Sequence, residues 1–149
     1  MKIIKAKKTN IKDVSFLFDL YRQFYKYKPN LKQSTKYIAD RIKKKESTIF
    51  VCYSNKNAVG FVQLYKTFDS LNLNEKIVLY DLFVVKNYRK KGIGNLLMDK
   101  AKSFALKNKV NLIELSTAVT NKKAQSLYEK LEYVRDKEYY NYYLEIKKK

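Results

Sequence analysis

The chain reads as a mixed α/β sandwich: a mainly antiparallel sheet of six or seven strands with helices on both faces. Three features predict it. Some segments carry apolar residues at helical spacing and others are β-rich runs bounded by polar turns. The two kinds follow each other in the order β-α-α-β-β-β-α-β-α-β-β, a pattern that packs as layers of helix on sheet. Finally, Ile77–Val85 is a near-continuous apolar run broken by Asp81, as expected for a strand covered on both faces.

The elements follow in turn. Lys2–Lys7 is a first strand. Asp13 caps the next helix, whose Val14, Leu17, Phe18, Tyr21, Phe24 and Tyr25 recur at helical spacing. Lys28-Pro29-Asn30 closes that segment, because proline cannot continue a helix and its predecessor avoids helical angles. Ser34 to about Lys44 forms a shorter helix with Tyr37, Ile38 and Ile42 inward. Thr48–Tyr53 and Ala58–Tyr65 are strands flanking the polar turn Ser54-Asn55-Lys56-Asn57, and Ile77–Val85 is the next. Asn95–Lys107 is helical, with Leu97, Ala101, Phe104 and Ala105 on one stripe. Leu112–Val119 is a strand, Asn121 opens a helix carrying Ala124, Leu127, Tyr128 and Leu131, and two strand-like segments close the chain around Tyr133 and at Tyr140–Ile146.

At 149 residues, without repeats, low-complexity tracts or Gly/Ser/Pro linkers, the chain fits one domain spanning 1–149. No apolar run approaches a membrane span, and Met1 leads directly into the first strand without a secretory leader, so a cytoplasmic protein with no membrane partner is expected. The single Cys52 has apolar neighbours and is expected as a buried thiol. The chain contains no His, which excludes Ser-His-Asp and Cys-His catalysis and His-based zinc sites. No metal is expected. The net charge is +19, and all but four of the 33 basic residues are Lys. Two readings stand: a field that attracts anions, or a composition in which Lys, Asn, Tyr and Ile share AT-rich codons. The shortage of Arg forks argues against nucleic acid as a partner, and Lys147-Lys148-Lys149 reads as a solvated end.

The stretch richest in chemistry is Leu82-Phe83-Val84-Val85-Lys86-Asn87-Tyr88-Arg89-Lys90-Lys91-Gly92-Ile93-Gly94-Asn95. A buried strand runs into a basic loop with two glycines that opens a helix. Glycine lets backbone N–H groups approach a ligand, and the helix N-terminus adds partial positive charge, so the segment is an anion cradle suited to a pyrophosphate. It is neither a Walker loop nor a dinucleotide fingerprint, since Leu97 sits where a third glycine belongs.

Arg89-x-x-Gly92-x-Gly94 resembles the R/Q-x-x-G-x-G/A motif of the GNAT-superfamily N-acetyltransferases, and Asp81-Leu82-Phe83-Val84 resembles the strand that precedes it there. Asn121-x-x-Ala124-x-x-Leu127-Tyr128-Glu129-Lys130-x-x-Tyr133 is similar to that superfamily's second signature. The Gly60-Phe61 strand and Ala124-Gln125 point to its histone/polyamine and spermidine/spermine branch. The resemblance implies a splayed sheet that receives acetyl-coenzyme A as cosubstrate. Leu82, Phe83 and Val84 would meet the pantetheine arm, and Arg89, Lys90, Lys91, Gly92, Ile93, Gly94 and Asn95 the pyrophosphate. Asn121 would contact the pantetheine side. Tyr128, near the coenzyme sulfur, would act as general acid, with a backbone N–H near Val84 stabilising the oxyanion. Without the motif, a Tyr in that position would read as core.

Asp81 interrupts an apolar strand, where a carboxylate is costly unless paired. It either bonds a structural partner or lines the acceptor pocket and takes the proton of an ammonium; Glu114 on the neighbouring strand is a second candidate. Tyr80 and Asp81 are the substrate-binding candidates, and Tyr80 stands where the spermidine/spermine enzymes carry an acid. Glu132 stands where the second signature has Gly. The acceptor is expected to be a small-molecule primary amine, polyamine-like or amino-acid-like. The alternatives are a protein or peptide amine, and a non-catalytic basic nucleic-acid-binding module on the same fold. Tyr139-Tyr140-Asn141-Tyr142-Tyr143 could stack bases, but reads better as a strand filling a core or a homodimer interface.

Overall fold

A computed structural model describes residues 1–146; the lysine run 147–149, expected as a solvated end, lies outside the described residues. Its sheet has five strands, β1 (Lys2–Lys5), β2 (Thr48–Ser54), β3 (Asn57–Asp69), β4 (Asn74–Val84) and β5 (Ile113–Leu115), lying side by side in sequence order. β1 to β4 form an antiparallel meander, and β5 joins β4 in parallel through Ile77–Leu79 alone. The helices are α1 (Ile11–Phe24), α2 (Leu31–Lys43), α3 (Ile93–Lys107) and α4 (Lys122–Lys130). The chain divides into two compact units, Met1–Ser116 with the sheet and α1 to α3, and Thr117 onward with α4.

Inside the first unit the sheet is covered on both sides. Val14 and Leu17 of α1 and Ile38 of α2 bury against Ile49, Val51, Phe61 and Phe83. The opposite face carries Phe50, Val62 and Leu64, and α3 closes it with Leu97, Met98, Ala101 and Ala105. Gly60 permits that packing, because a Cβ there would stand 2.8 Å from the Phe83 carbonyl and 3.3 Å from Leu97. Cys52 is buried as expected, and burial pushes its thiol up.

Several boundaries differ from the sequence reading, for local reasons. Asp13 is no cap: α1 starts two residues earlier, and Asp13 accepts from the Tyr53 hydroxyl at 2.7 Å. Asn30 starts α2 ahead of Ser34 by accepting from the Gln33 amide at 3.0 Å. The freed Ser34 donates to Asp19, which also accepts from the Asn30 amide and Gln23 and so ties α1 to α2. Burial pushes the Asp19 carboxyl up, but these bonds and Arg22 outweigh it and hold it below its ordinary value. β4 is not covered on both faces throughout, since Tyr80 is 64% exposed. The expected strands around Tyr133 and at Tyr140–Ile146 do not form among the described residues, so the sheet has five strands rather than six or seven. Tyr and Ile favour strands only when an edge pairs with them, and these residues have none.

All four helices end alike. Lys26, Lys45, Lys109 and Glu132 follow the helix caps with φ of 65°, 57°, 57° and 65°. In each, the next amide closes a bond five residues back, Tyr27 to Arg22, Glu46 to Arg41, Val110 to Ala105 and Tyr133 to Tyr128, at 3.0–3.1 Å. This is the Schellman closure, which normally recruits glycine because a side chain strains left-handed backbone. Glu132 thus makes the turn where the motif has Gly. Replacing Lys45 or Glu132 with Gly should raise stability by about 0.5–1 kcal/mol each, strain relief exceeding the added freedom of the unfolded chain. Thermal melts should rise by about 2–4 °C per kcal/mol gained; unchanged or lower melting would mean these ends are unstrained.

Candidate active site

β4 organises the site through one irregularity. Opposite β3, Val62 faces Leu82 and Gln63 faces Asp81, but Leu64 faces Leu79, so Tyr80 is an extra residue in a bulge. The bulge reverses which face each later side chain meets. Asp81 therefore shares with Gln63, Phe61 and Phe83 the face under α1 and α2, while Leu82 and Val84 turn their side chains to the α3 face.

The same register sets the main chain. The Val85 amide donates to the Val59 carbonyl at 2.9 Å, so the N–H and C=O of Val84 and Leu82 point away from β3. That edge has no strand beside it, because β5 pairs only as far as Leu79. Phe83 spends its main chain on the β3 ladder and offers nothing there. The Val84 carbonyl is taken by Arg89, whose Nε donates to it at 2.8 Å while its guanidinium lies over the rings of Phe24 and Phe83.

Beyond β4 a 3-10 turn (Lys86–Tyr88) leads through Arg89, Lys90 and Lys91 to Gly92. Gly92 has φ 78° and precedes α3; a Cβ there would meet nothing within 4 Å, so the backbone angle alone asks for glycine. Gly94 lies inside the first turn of α3, not in the loop, and its conformational freedom goes unused. The first helical amide to bond backward is Leu96, to Gly92 at 3.1 Å. The amides of Ile93, Gly94 and Asn95 thus have no helical acceptor, no cap side chain, and no acid in the first turn. Four cationic side chains precede them. An anionic phosphate fits such a cradle.

Under α1 and α2 a cavity of about 740 Å³ opens onto this face of β4. Phe18, Tyr37, Tyr65, Phe68 and Tyr80 line it, with Asp81 and Glu114. Phe18 stacks on Tyr37 at 5.2 Å, Tyr65 meets Tyr80 edge-on at 5.2 Å, and the Tyr37 and Tyr65 hydroxyls join the pairs at 3.0 Å. Burial pushes the Tyr65 hydroxyl well up. Burial also pushes the Asp81 carboxyl up to about 6, against a hydrogen bond from the Tyr21 hydroxyl that pulls it down. Glu114 ion-pairs with Lys76 at 2.8 Å. The fold therefore gathers three acidic or substrate-binding candidates, Tyr80, Asp81 and Glu114. Sequence reasoning missed Tyr21, Tyr37 and Tyr65, which it took as inward-facing or ordinary strand residues. Hydroxyls on the inward faces of two helices were the available signal.

In the second unit Asn121 caps α4, its Oδ1 accepting from the Ala124 amide at 3.3 Å. Tyr128 is half-buried on that helix, its ring 6.1 Å from that of Tyr133. Among the described residues no cluster of His, Cys, Asp or Glu could hold a metal ion, and no helix is long and apolar enough to cross a membrane.

The pattern of the Acetyltransferase (GNAT) family matches residues 14–133. The chain is 36% identical over 146 residues to the uncharacterized N-acetyltransferase YhfO of Bacillus subtilis, covering 98% of each. It resembles the crystal structure of a probable acetyltransferase with TM-score 0.92 and 31% identity, covering 100% of both chains. Over 63 residues, 42% of this chain and 17% of the other, it is 43% identical to N-alpha-acetyltransferase 30 of Homo sapiens.

The buried carboxylate has a stability signature. Its folded pKa of about 6 lies above the ordinary aspartate value, so the native state holds the proton more tightly, and ionisation costs stability as pH rises from about 4 to about 6. Asp81→Asn should stabilise the fold on the order of 1–2 kcal/mol above pH 7, after allowing for solvent access, and hardly at all below pH 4. Denaturant melts of both proteins across that range test it. A pH-independent difference would refute the shift.

Proposed function

The chain belongs to the GNAT acetyltransferase family, and on that premise we propose that it acetylates the primary amine of a small molecule, polyamine-like or amino-acid-like, with Asp81 as the base. The family uses acetyl-coenzyme A as cosubstrate, which supplies an activated acetyl thioester. The observation that carries the reading is a carboxyl raised to about 6 on the wall of an aromatic cavity, beside a strand edge that β5 leaves uncovered. Perturbed carboxyls in clefts mark acid–base sites.

Each residue has a task. The amides of Ile93, Gly94 and Asn95 receive phosphate, with Lys90 and Lys91 supplying charge and Gly92 the turn. The free main-chain groups of Leu82 hydrogen-bond the extended pantetheine arm, and Asn121 is the family-motif residue assigned to the pantetheine part of the cofactor. Arg89 holds the end of β4 through the Val84 carbonyl. Asp81 takes a proton from the bound ammonium, and the neutral amine attacks the thioester carbonyl. The Val84 amide, on the free edge, stabilises the oxygen that gains charge. Tyr128 protonates the departing thiolate. The balance is an ammonium and a thioester giving an amide, a free thiol and one released proton.

Residues 1–149 are read as one domain, a reading supported by a family match over residues 14–133 that enters both units. A cytoplasmic setting and a homodimer complete the reading, the exposed Tyr139, Tyr140, Tyr142 and Tyr143 being the surface for a second copy. The second reading, a peptide or protein amine as acceptor, draws on the short likeness to N-alpha-acetyltransferase 30.

Two measurements test the assignment. Thiol release should need acetyl-coenzyme A and an amine, and kcat/KM should fall about tenfold per pH unit below pH 6 as Asp81 is protonated. A profile flat from pH 5 to 7 would remove Asp81 as base. Tyr128→Phe should slow single-turnover transfer about 10²–10⁴-fold with little change in melting, the pattern of a lost proton donor. Near-normal transfer with altered melting would make Tyr128 a packing residue.

A further inference from the structure

The cavity beneath α1 and α2 is unevenly charged, in a way that bears on which amine enters it. Of its two carboxylates, Glu114 is already neutralised by Lys76 at 2.8 Å. Asp81 makes no ion pair with any Lys or Arg among the described residues, although the chain carries a net charge of +19. Lys66, also on the cavity wall, is paired with Glu75 at 3.0 Å. One carboxylate is left for a ligand cation.

Where that carboxylate sits matters as much. Lys76, Val78 and Asp81 fall on the same face of β4. Lys76 and Asp81 are separated by roughly 15 Å along the strand, so the trough runs from an unpaired carboxylate to an end where each carboxylate already has its lysine. A second ammonium on the same ligand would find no free carboxylate at that end, since Glu114 and Glu75 are already taken by Lys76 and Lys66. The ring of Tyr37 cannot take a carboxylate's place. Tyr37 already carries Phe18 stacked against it and the Arg41 guanidinium 4.7 Å over its ring. A second ammonium there gives up part of its hydration and gains no ion pair in return.

The space between the two ends suits an apolar ring. Tyr80 and Phe68 are 64% and 77% exposed and line the cavity, so their surfaces are open to contact. The pairs Phe18–Tyr37 and Tyr65–Tyr80 are locked together through the phenol hydrogen bond, which makes a wall of fixed aromatic surface. An aromatic guest would stack on that wall or meet it edge-on.

We infer that this cavity selects acceptors with a single ammonium group on an aryl-alkyl body and discriminates against amines with a second positive charge. The inference rests on the acetyl-transfer reading above and narrows its acceptor class. It sets the site apart from the polyamine branch raised by the motifs: the position that is acidic there is the ring of Tyr80 here.

The test is a comparison of kcat/KM from free-thiol release at saturating acetyl-coenzyme A, using phenethylamine, tyramine, propylamine, cadaverine, spermidine and a peptide with a free N-terminus. Phenethylamine and tyramine should exceed cadaverine and spermidine at least tenfold. Tyr80→Ala should lower the ratio of phenethylamine to propylamine at least fivefold, whereas a merely structural loss would lower both amines alike and leave the ratio unchanged. Diamines used as well as aryl-alkyl amines, or an unchanged ratio, would overturn the selectivity while leaving acetyl transfer standing. Turnover of the peptide alone, or acetyl-coenzyme A binding without transfer to any amine, would overturn the small-molecule reading and this inference with it.

Discussion

One extra residue in β4 decides where everything else goes. Without the bulge at Tyr80, Asp81 would share the face of Leu79 and point into the core beneath α3, where no cavity could use it. With the bulge, the carboxylate faces α1 and α2, and the main chain of Leu82 and Val84 is aimed at the edge that β5 abandons after Leu79. The aromatic cavity and the free strand edge thus come from the same irregularity. A backbone device costs a few ladder bonds and needs no particular side chain, which is why bulges recur beside active sites.

Two aspartates show how surroundings assign roles. Both interrupt apolar patterns, and burial pushes both carboxyls up. Asp19 is 5% exposed, yet accepts from the Asn30 amide, Ser34 and Gln23 and lies beside Arg22, so it stays ionised and serves as a fastener between helices. Burial dominates at Asp81, opposed only by a phenol hydrogen bond and, among the described residues, by no cation, so its carboxyl moves the other way, to about 6. Saturated with donors, a carboxylate is structural; starved of them, it becomes exchangeable and suited to chemistry.

The residues announced the order of elements through Asn121, the buried Cys52, the anion loop and the Asn121 cap, because each depends on local pattern or local geometry. The helix starts moved because competing caps stood close together: Asn30 sits four residues before Ser34, and either could have opened α2. The bulge was not legible, since a register shift depends on what lies across the ladder. The aromatic wall was hidden likewise: Phe18, Tyr37 and Tyr65 come from three elements, and their common surface exists only once α1 and α2 lie over β3. The closing strands failed for a related reason. Alternation advertises a strand, but a partner edge makes one.

Arg89 shows what such economy implies. Its backbone begins the loop before α3, while its side chain ties down the last carbonyl of β4 and roofs Phe24 and Phe83. Two neighbouring surfaces, a cationic loop and a bare strand edge, hang from a single residue. Truncating it would loosen both together, so energies from separate perturbations of loop and strand should fail to add, and the shortfall would measure how tightly the two surfaces are yoked.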